Sequence, residues 1–186
     1  MLSDRNRLTK PALRAVVHLL FGTRPWVRRN LEEFAAGVAG KRILEIGSGR
    51  HDLGRDAFSF RSLFDPSAEF VQSDVDPKFG HEIVDVRTMA FEEAFDVILC
   101  LYVLEHVFEV EDAVRSMHRA LKPGGTVVIA VPHLYPYHDE PTDYWRFTEH
   151  ALRQMLAPFD TIQIKIRGFR KMPVALMAFA GKKRGG

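Results

Sequence analysis

Three features of the chain predict an α/β fold, a doubly wound and mostly parallel sheet of seven strands. Short apolar runs rich in β-branched residues recur along the chain, several apolar on both faces, as strands covered on both sides require. Stripes of apolar residues at helical spacing fall between or beside these runs. Glycine and proline clusters separate the two kinds of segment, giving the alternation from which parallel sheets are built.

Leu13, Val16, Val17 and Leu20 recur at i, i+3, i+4 and i+7 and predict a first helix that Gly22 ends. A second follows, with Thr23 as its cap and Pro25 in its first turn. Trp26, Leu31, Phe34 and Ala35 supply its apolar contacts, and Gly37 and Gly40 stop it. Residues 1–40 are therefore expected to form a helical segment that packs on the core or caps it. Residues 41–186 form the α/β unit, within one domain overall.

Strands are expected at "RILEIG" (42–47), "EFVQSDV" (69–75), "HEIVDV" (81–86), "FDVILCL" (95–101) and "TVVIAVP" (126–132). Between the last two, Val110, Ala113, Val114, Met117, Ala120 and Leu121 make an amphipathic helix that "KPGG" (122–125) terminates. Thr148 caps a further helix through Leu152, Met155 and Leu156. "FDTIQIKIRGF" (159–169) alternates as a strand, and "PVALMAFAG" (173–181) makes a last one.

The composition, 46% hydrophobic and 27% charged, is that of a globular domain. Cys100 stands alone, which excludes an internal disulfide and a cysteine-based metal cluster and fits a reducing, cytoplasmic setting. No apolar run approaches the ~20 residues of a membrane span. The run "AVVHLLFG" (15–22) holds a histidine, leads into "TRPWVRR" and lacks a cleavage site, so it does not read as a signal peptide.

The net charge of +2 hides an uneven distribution. Residues 1–30 hold seven Lys/Arg against one acid and residues 161–186 seven against none, so the middle is acidic. Basic ends suit peripheral contact with an anionic membrane, with Arg5, Arg7, Lys10 and Arg14 around the first helix; two solvated arms fit as well. Charge is the sole feature suggesting nucleic acid, since no recognition helix or RNA-binding module is present.

Gly47 and Gly49, in "GSGRHD" (47–52), fall where an open parallel sheet binds ligands, past the carboxyl end of its first strand. A dinucleotide fingerprint needs a third glycine at position 52. Asp52 stands there, and its carboxylate repels a pyrophosphate. The run also lacks the Lys-Ser/Thr of a phosphate-binding loop, which argues against NAD-dependent oxidoreduction and nucleoside phosphates alike. Two glycines alone fit an ordinary turn. Their context adds Glu45 just ahead, and Asp74 at the acidic tip "SDVDP" (73–77), where an acid grips ribose hydroxyls.

In chain order "LEIGSG", that tip, "DVRTMAF", "FDVILCLYVLEHV" and "ALKPGGTVVIAVP" resemble the class I methyltransferases that use S-adenosylmethionine, over about residues 41–160. The resemblance implies a Rossmann-like methyltransferase fold with S-adenosyl-L-methionine as cofactor, which has no phosphate and so no need of the third glycine. It places the backbone of Gly47, Ser48 and Gly49 against the methionine part, with Glu45 supplying negative potential and a bond to its ammonium. It further implies Asp74 on ribose, Val75 on adenine, Asp85 and the Val86 backbone at the adenine edge, and Cys100 and Leu101 lining the cleft. The residues also admit plainer roles: Asp85 can cap the next segment, and Cys100 can be a buried wall residue.

Methyl transfer from a sulfonium is an in-line displacement, so the protein must chiefly hold the reactants in line. A hydroxyl acceptor gains from a general base, for which His106 in "LEHV" and His138 are the candidates. His106, His133 and His138 lack compact metal-ligand spacing, so no metal is expected. The segment "PYHDEPTDYWRFT" (136–148) resembles the acceptor-side loop of a bacterial methyltransferase subgroup linked to cell-surface glycan chemistry. On that resemblance His133, Tyr137, Tyr144 and Arg146 contact a small-molecule or glycan-like acceptor, while Trp145 and Phe147 anchor the loop in the core. A binding module that holds the cofactor without catalysis, docking through its basic ends, is the competing reading. The sequence gives no oligomeric state.

Overall fold

The computed structural model describes residues 22–49, 59–138 and 142–185. The expected first helix and the far side of the glycine turn, Asp52 included, lie outside the described residues. Helix α1 (Arg24–Ala35) comes first, then β1 (Arg42–Ile46), β2 (Glu69–Asp74), β3 (Glu82–Ile83) and β4 (Phe95–Leu101). Helix α2 (Val110–Ala120), β5 (Leu121–Pro132), α3 (Glu149–Met155), β6 (Thr161–Phe169) and β7 (Met172–Gly181) complete the order.

The seven strands form one sheet in the order β3-β2-β1-β4-β5-β7-β6. Strands β1 to β5 pair in parallel, and β7 lies antiparallel between β5 and β6. The strand order reverses beside β1, whose neighbours are β2 and β4, so a ligand crevice opens at the carboxyl ends of these three strands.

Because successive side chains on a strand face opposite ways, the apolar runs supply two cores. Ile43, Val97, Leu99, Val128, Ala130 and Met177 pack with Val27, Leu31 and Ala35 of α1. Leu44, Ile46, Ile98, Cys100, Val127, Ile129 and Val131 pack with Ala113, Val114 and Met117 of α2 and Leu152 of α3. Each fully buried aliphatic side chain contributes about 1.5–3 kcal/mol. That burial on both faces is why the runs read as nearly continuous apolar segments.

Three local expectations need correction. Thr23 does not cap α1: its backbone is helical (φ −100°, ψ −14°) and its side chain makes no capping bond. Strand β3 shrinks to two residues, because Asp85 turns back onto Arg87 instead of continuing the ladder. "KPGG" opens no separate turn; β5 begins at Leu121, and Lys122–Gly125 bulge out between the pairs Phe95–Leu121 and Val97–Thr126. Thr148 does cap α3, accepting from the Ala151 amide at 3.1 Å.

Among the described residues no helix is long and apolar enough to cross a membrane. Part of the basic carboxyl-terminal segment folds onto the acidic middle: Lys165 pairs with Glu33 at 3.2 Å and Lys182 with Glu93 at 3.4 Å.

Candidate active site

The carboxyl end of β1 runs into Gly47 and Gly49, both with left-handed backbones (φ +71° and +64°). A Cβ on Gly47 would stand 2.6 Å from Val103 Cγ2, so no other residue fits there without displacing the β4 exit. The turn is fastened to β2: the Ser48 amide donates to the Ser73 carbonyl at 2.9 Å, and the Gly49 amide to Asp74 Oδ2 at 3.0 Å. Asp74 Oδ1 accepts from the Asp76 amide at 3.0 Å. Each carboxylate oxygen can accept twice, so Asp74 keeps acceptor capacity for a diol while holding the turn. His81, which the sequence reading missed, approaches the Gly49 carbonyl at 2.8 Å through Nε2.

Glu45 directs its carboxylate at donors of the turn itself. It is 2% exposed, and its oxygens accept from Ser48 Oγ at 2.9 Å and the Phe60 amide at 2.8 Å. Burial raises its pKa against these hydrogen bonds. Its work is to organise the turn.

Val75 (61% exposed) and Ile83 (66%) leave an apolar surface at the β2–β3 ends, suited to a flat ring. Asp85 beside it is already engaged: Arg87 donates to it from Nε and Nη2 and bridges on to Glu109 at 3.1 Å, which lowers the Asp85 pKa. The Val86 side chain is buried in the core. Cys100 does not line the cleft, since it is wholly buried between Ile46 and Ile129, and burial pushes its thiol pKa up. Leu101 is half-buried against the α1-side core.

After β4 the chain passes Tyr102, whose φ of +58° is strained for a tyrosine, into a single 3₁₀ turn, Leu104–His106. The Glu105 carbonyl accepts the Tyr144 amide at 2.8 Å, which ties the 142–148 loop to that turn. His106 and His138, 32 residues apart in sequence, thereby come together, their rings 5.0 Å apart edge to face. His106 Nδ1 meets the Thr142 carbonyl, and burial lowers the His106 pKa. The Glu105 side chain is buried between them and the core, and desolvation pushes its pKa up to about 8.

Arg146 is not free for an acceptor. All five of its donors are used, on Asp143 (2.5 and 2.7 Å) and on the carbonyls of Tyr135, Pro136 and Trp145. The guanidinium in turn holds the Asp143 pKa down to about 2. His133 is likewise an anchor, its Nδ1 lying 2.7 Å from the Phe147 carbonyl. Phe147 is buried as expected, but Trp145 is not: it is 37% exposed, stacks on Phe108 at 5.6 Å, and donates to the Val107 carbonyl at 3.0 Å. Tyr144 meets the same Phe108 edge-on, and Tyr137 is largely exposed. Phe108, which carried no signal beyond its apolar side chain, completes this aromatic shelf.

A glycine turn with no phosphate-binding lysine, an acid fastened beside it and an apolar shelf at β2–β3 fit an adenosine joined to an amino acid through sulfur. On this sheet they define a class I S-adenosylmethionine-dependent methyltransferase. The chain belongs to the methyltransferase domain family, whose model matches residues 21–162. The ubiquinone biosynthesis O-methyltransferase of Pseudomonas aeruginosa is 31% identical over 116 residues, 56% of this chain and 50% of that protein. The ubiquinone/menaquinone biosynthesis C-methyltransferase of Ectopseudomonas mendocina is 33% identical over 125 residues, 57% of this chain and 47% of that one. The chain thus matches about half the length of these curated relatives. In fold it is similar to the Burkholderia thailandensis 1,6-didemethyltoxoflavin N1-methyltransferase, solved with S-adenosylhomocysteine, with a TM-score of 0.61 at 18% identity, covering 100% of this chain and 92% of that one.

Proposed function

We propose that this methyltransferase transfers the methyl group to a hydroxyl oxygen of a small polar acceptor, a glycan-like ring or another small molecule. The observation that carries this reading is the meeting of His106 and His138 at the carboxyl edge, beside the shelf of Phe108, Tyr144 and Trp145. The O-methyltransferase among the relatives supports oxygen as the acceptor atom.

The cofactor supplies a methyl group already activated on a cationic sulfur. The chain's own residues bind and orient. The Gly47–Gly49 backbone takes the amino-acid part, Asp74 the ribose, and Val75 with the Val86 backbone the adenine; Leu101 closes the floor. Tyr137, Tyr144 and the Phe108–Trp145 stack hold the acceptor ring by its face. His106 and His138 promote loss of the acceptor's proton, and Arg146 fixes the loop that carries His138. Family membership favours transfer over the reading as a binding module.

Labelled-methyl transfer to a panel of sugars, phenols and amines tests the proposal. Label on a hydroxyl acceptor is expected, with His106→Ala slowing turnover and leaving cofactor affinity unchanged. Label on amines alone, or full turnover in His106→Ala, overturns it.

A further inference from the structure

We propose that Glu105, His106 and His138 form a divalent-metal site of the His₂–carboxylate type, suited to zinc. The sequence shows no such spacing, because His138 lies in another loop; folding supplies it. One potential ligand atom from each residue lies within 4.8 Å of the other two.

The second observation is independent of that proximity. Glu105 Oε2 and His138 Nδ1 are buried side-chain atoms that make no hydrogen bond among the described residues. Glu105 is 1% exposed. A buried carboxylate oxygen without a partner is costly, and native structures leave few such atoms unless an ion or water answers them. Tyr102 Oη is the third such atom among the described residues, and His138 Nδ1 has the Asp143 carboxylate 3.0 Å away, so the Glu105 oxygen is the one that a cation held between Glu105 and the two imidazoles satisfies.

The surroundings match the outer shell of a metal centre. Ligating imidazoles are held through their other nitrogen by a carbonyl or carboxylate. The Thr142 carbonyl meets His106 Nδ1, and Asp143 Oδ2 lies 3.0 Å from His138 Nδ1, which leaves the Nε2 atom of each ring for the ion. Asp143 is itself clamped by two bonds from Arg146. Two imidazoles and one carboxylate favour zinc over magnesium, which demands oxygen ligands, and three protein ligands leave a position open.

The site deepens the proposed O-methyl transfer and rests on that reading for its use. A hydroxyl bound at the open position would become more acidic: its O–H bond breaks, the proton passes to solvent, and the electron pair left on oxygen forms the new bond to the methyl carbon as the carbon–sulfur bond breaks and its pair leaves on the sulfur of the cofactor.

Calorimetric titration of the full chain, stripped with chelator, with ZnCl₂ and separately with MgCl₂ tests the site without any methyl-transfer readout. One equivalent of zinc per chain is expected to bind. Glu105→Gln, which keeps the size and shape of the side chain, and His138→Ala are each expected to weaken binding by about tenfold or more. His118→Gln, on α2, is expected to bind as the wild type does. No zinc binding, zinc binding undiminished in Glu105→Gln and His138→Ala, or saturable magnesium binding in place of zinc overturns the assignment. Failure here leaves methyl transfer to a hydroxyl standing, whereas loss of that transfer in a zinc-loaded protein condemns the functional reading alone.

Discussion

Asp74 Oδ2 accepts the Gly49 amide at 3.0 Å across 25 residues of sequence, so the acid at the tip of β2 also shapes the turn after β1. On the proposed binding mode, Asp74→Ala removes a ribose partner and loosens the surface that takes the amino-acid part. Hydrogen bonds to a charged group are worth about 1.5–3 kcal/mol, so calorimetry is expected to show S-adenosylhomocysteine binding more than about tenfold weaker. Unchanged affinity would remove Asp74 from the site.

Gly47→Ala meets two separate obstacles. The left-handed backbone costs a non-glycine residue about 1–2 kcal/mol, and the new Cβ would lie 2.6 Å from Val103 Cγ2. Chemical denaturation of both single variants and the double is expected to show that Val103→Ala offsets the clash but not the backbone term. Simple additivity of the two substitutions would show that Val103 does not limit this position.

Glu45 is ionisable and buried, and its folded pKa is raised chiefly by desolvation. A raised carboxyl binds its proton more tightly in the folded chain than in the unfolded one. Its contribution to stability is thus complete below the ordinary carboxylate range and is lost as pH rises through the elevated value. Relative to Glu45→Gln, the wild type is expected to lose thermal stability from about pH 4.5 upward. A gap between the two that stays constant with pH would mean that the carboxyl titrates alike in both states.

Arg146 closes the loop that presents His138, Tyr137 and Tyr144, through a paired contact with Asp143 and three carbonyls. Lysine keeps the charge but has neither the planar fork nor the donors to reproduce it. Once an acceptor is in hand, Arg146→Lys is expected to raise KM for it several-fold, with cofactor affinity unchanged. A loss of cofactor binding of similar size would place Arg146 in a different role.

The β6–β7 tip exposes Phe169 (79%) and Met172 (59%) beside Arg170 and Lys171, on the carboxyl edge of the sheet. Apolar and basic groups together suit the surface of an anionic bilayer. Cosedimentation with phosphatidylserine-containing vesicles is expected to fall with added salt and in the Arg170→Glu/Lys171→Glu variant. Absent or salt-insensitive binding would contradict peripheral contact through this tip.

The main strands and the glycine turn were legible in the sequence because local rules govern them: apolar runs mark β1, β4 and β5, and the missing third glycine argued against a dinucleotide. The roles of Glu45 and Arg146 were not, because both depend on distant partners. Glu45 is spent on Phe60, 15 residues on, and Arg146 on carbonyls from Tyr135 and Pro136. Trp145 was misjudged for a related reason, since hydrophobicity predicts burial while its stacking partner Phe108 sits in another loop on the surface. The union of Glu105, His106 and His138 follows from topology, which brings the ends of β4 and β5 side by side.

The central claim is that the crevice at the carboxyl ends of β1 and β2 holds an adenosine carried on sulfur and has no place for a diphosphate. Titration of the full chain with S-adenosylhomocysteine and, in parallel, with NAD tests it most directly. Saturable binding of S-adenosylhomocysteine at one equivalent, with no heat from NAD, is the expected result; NAD binding in preference to S-adenosylhomocysteine is the result that would contradict it.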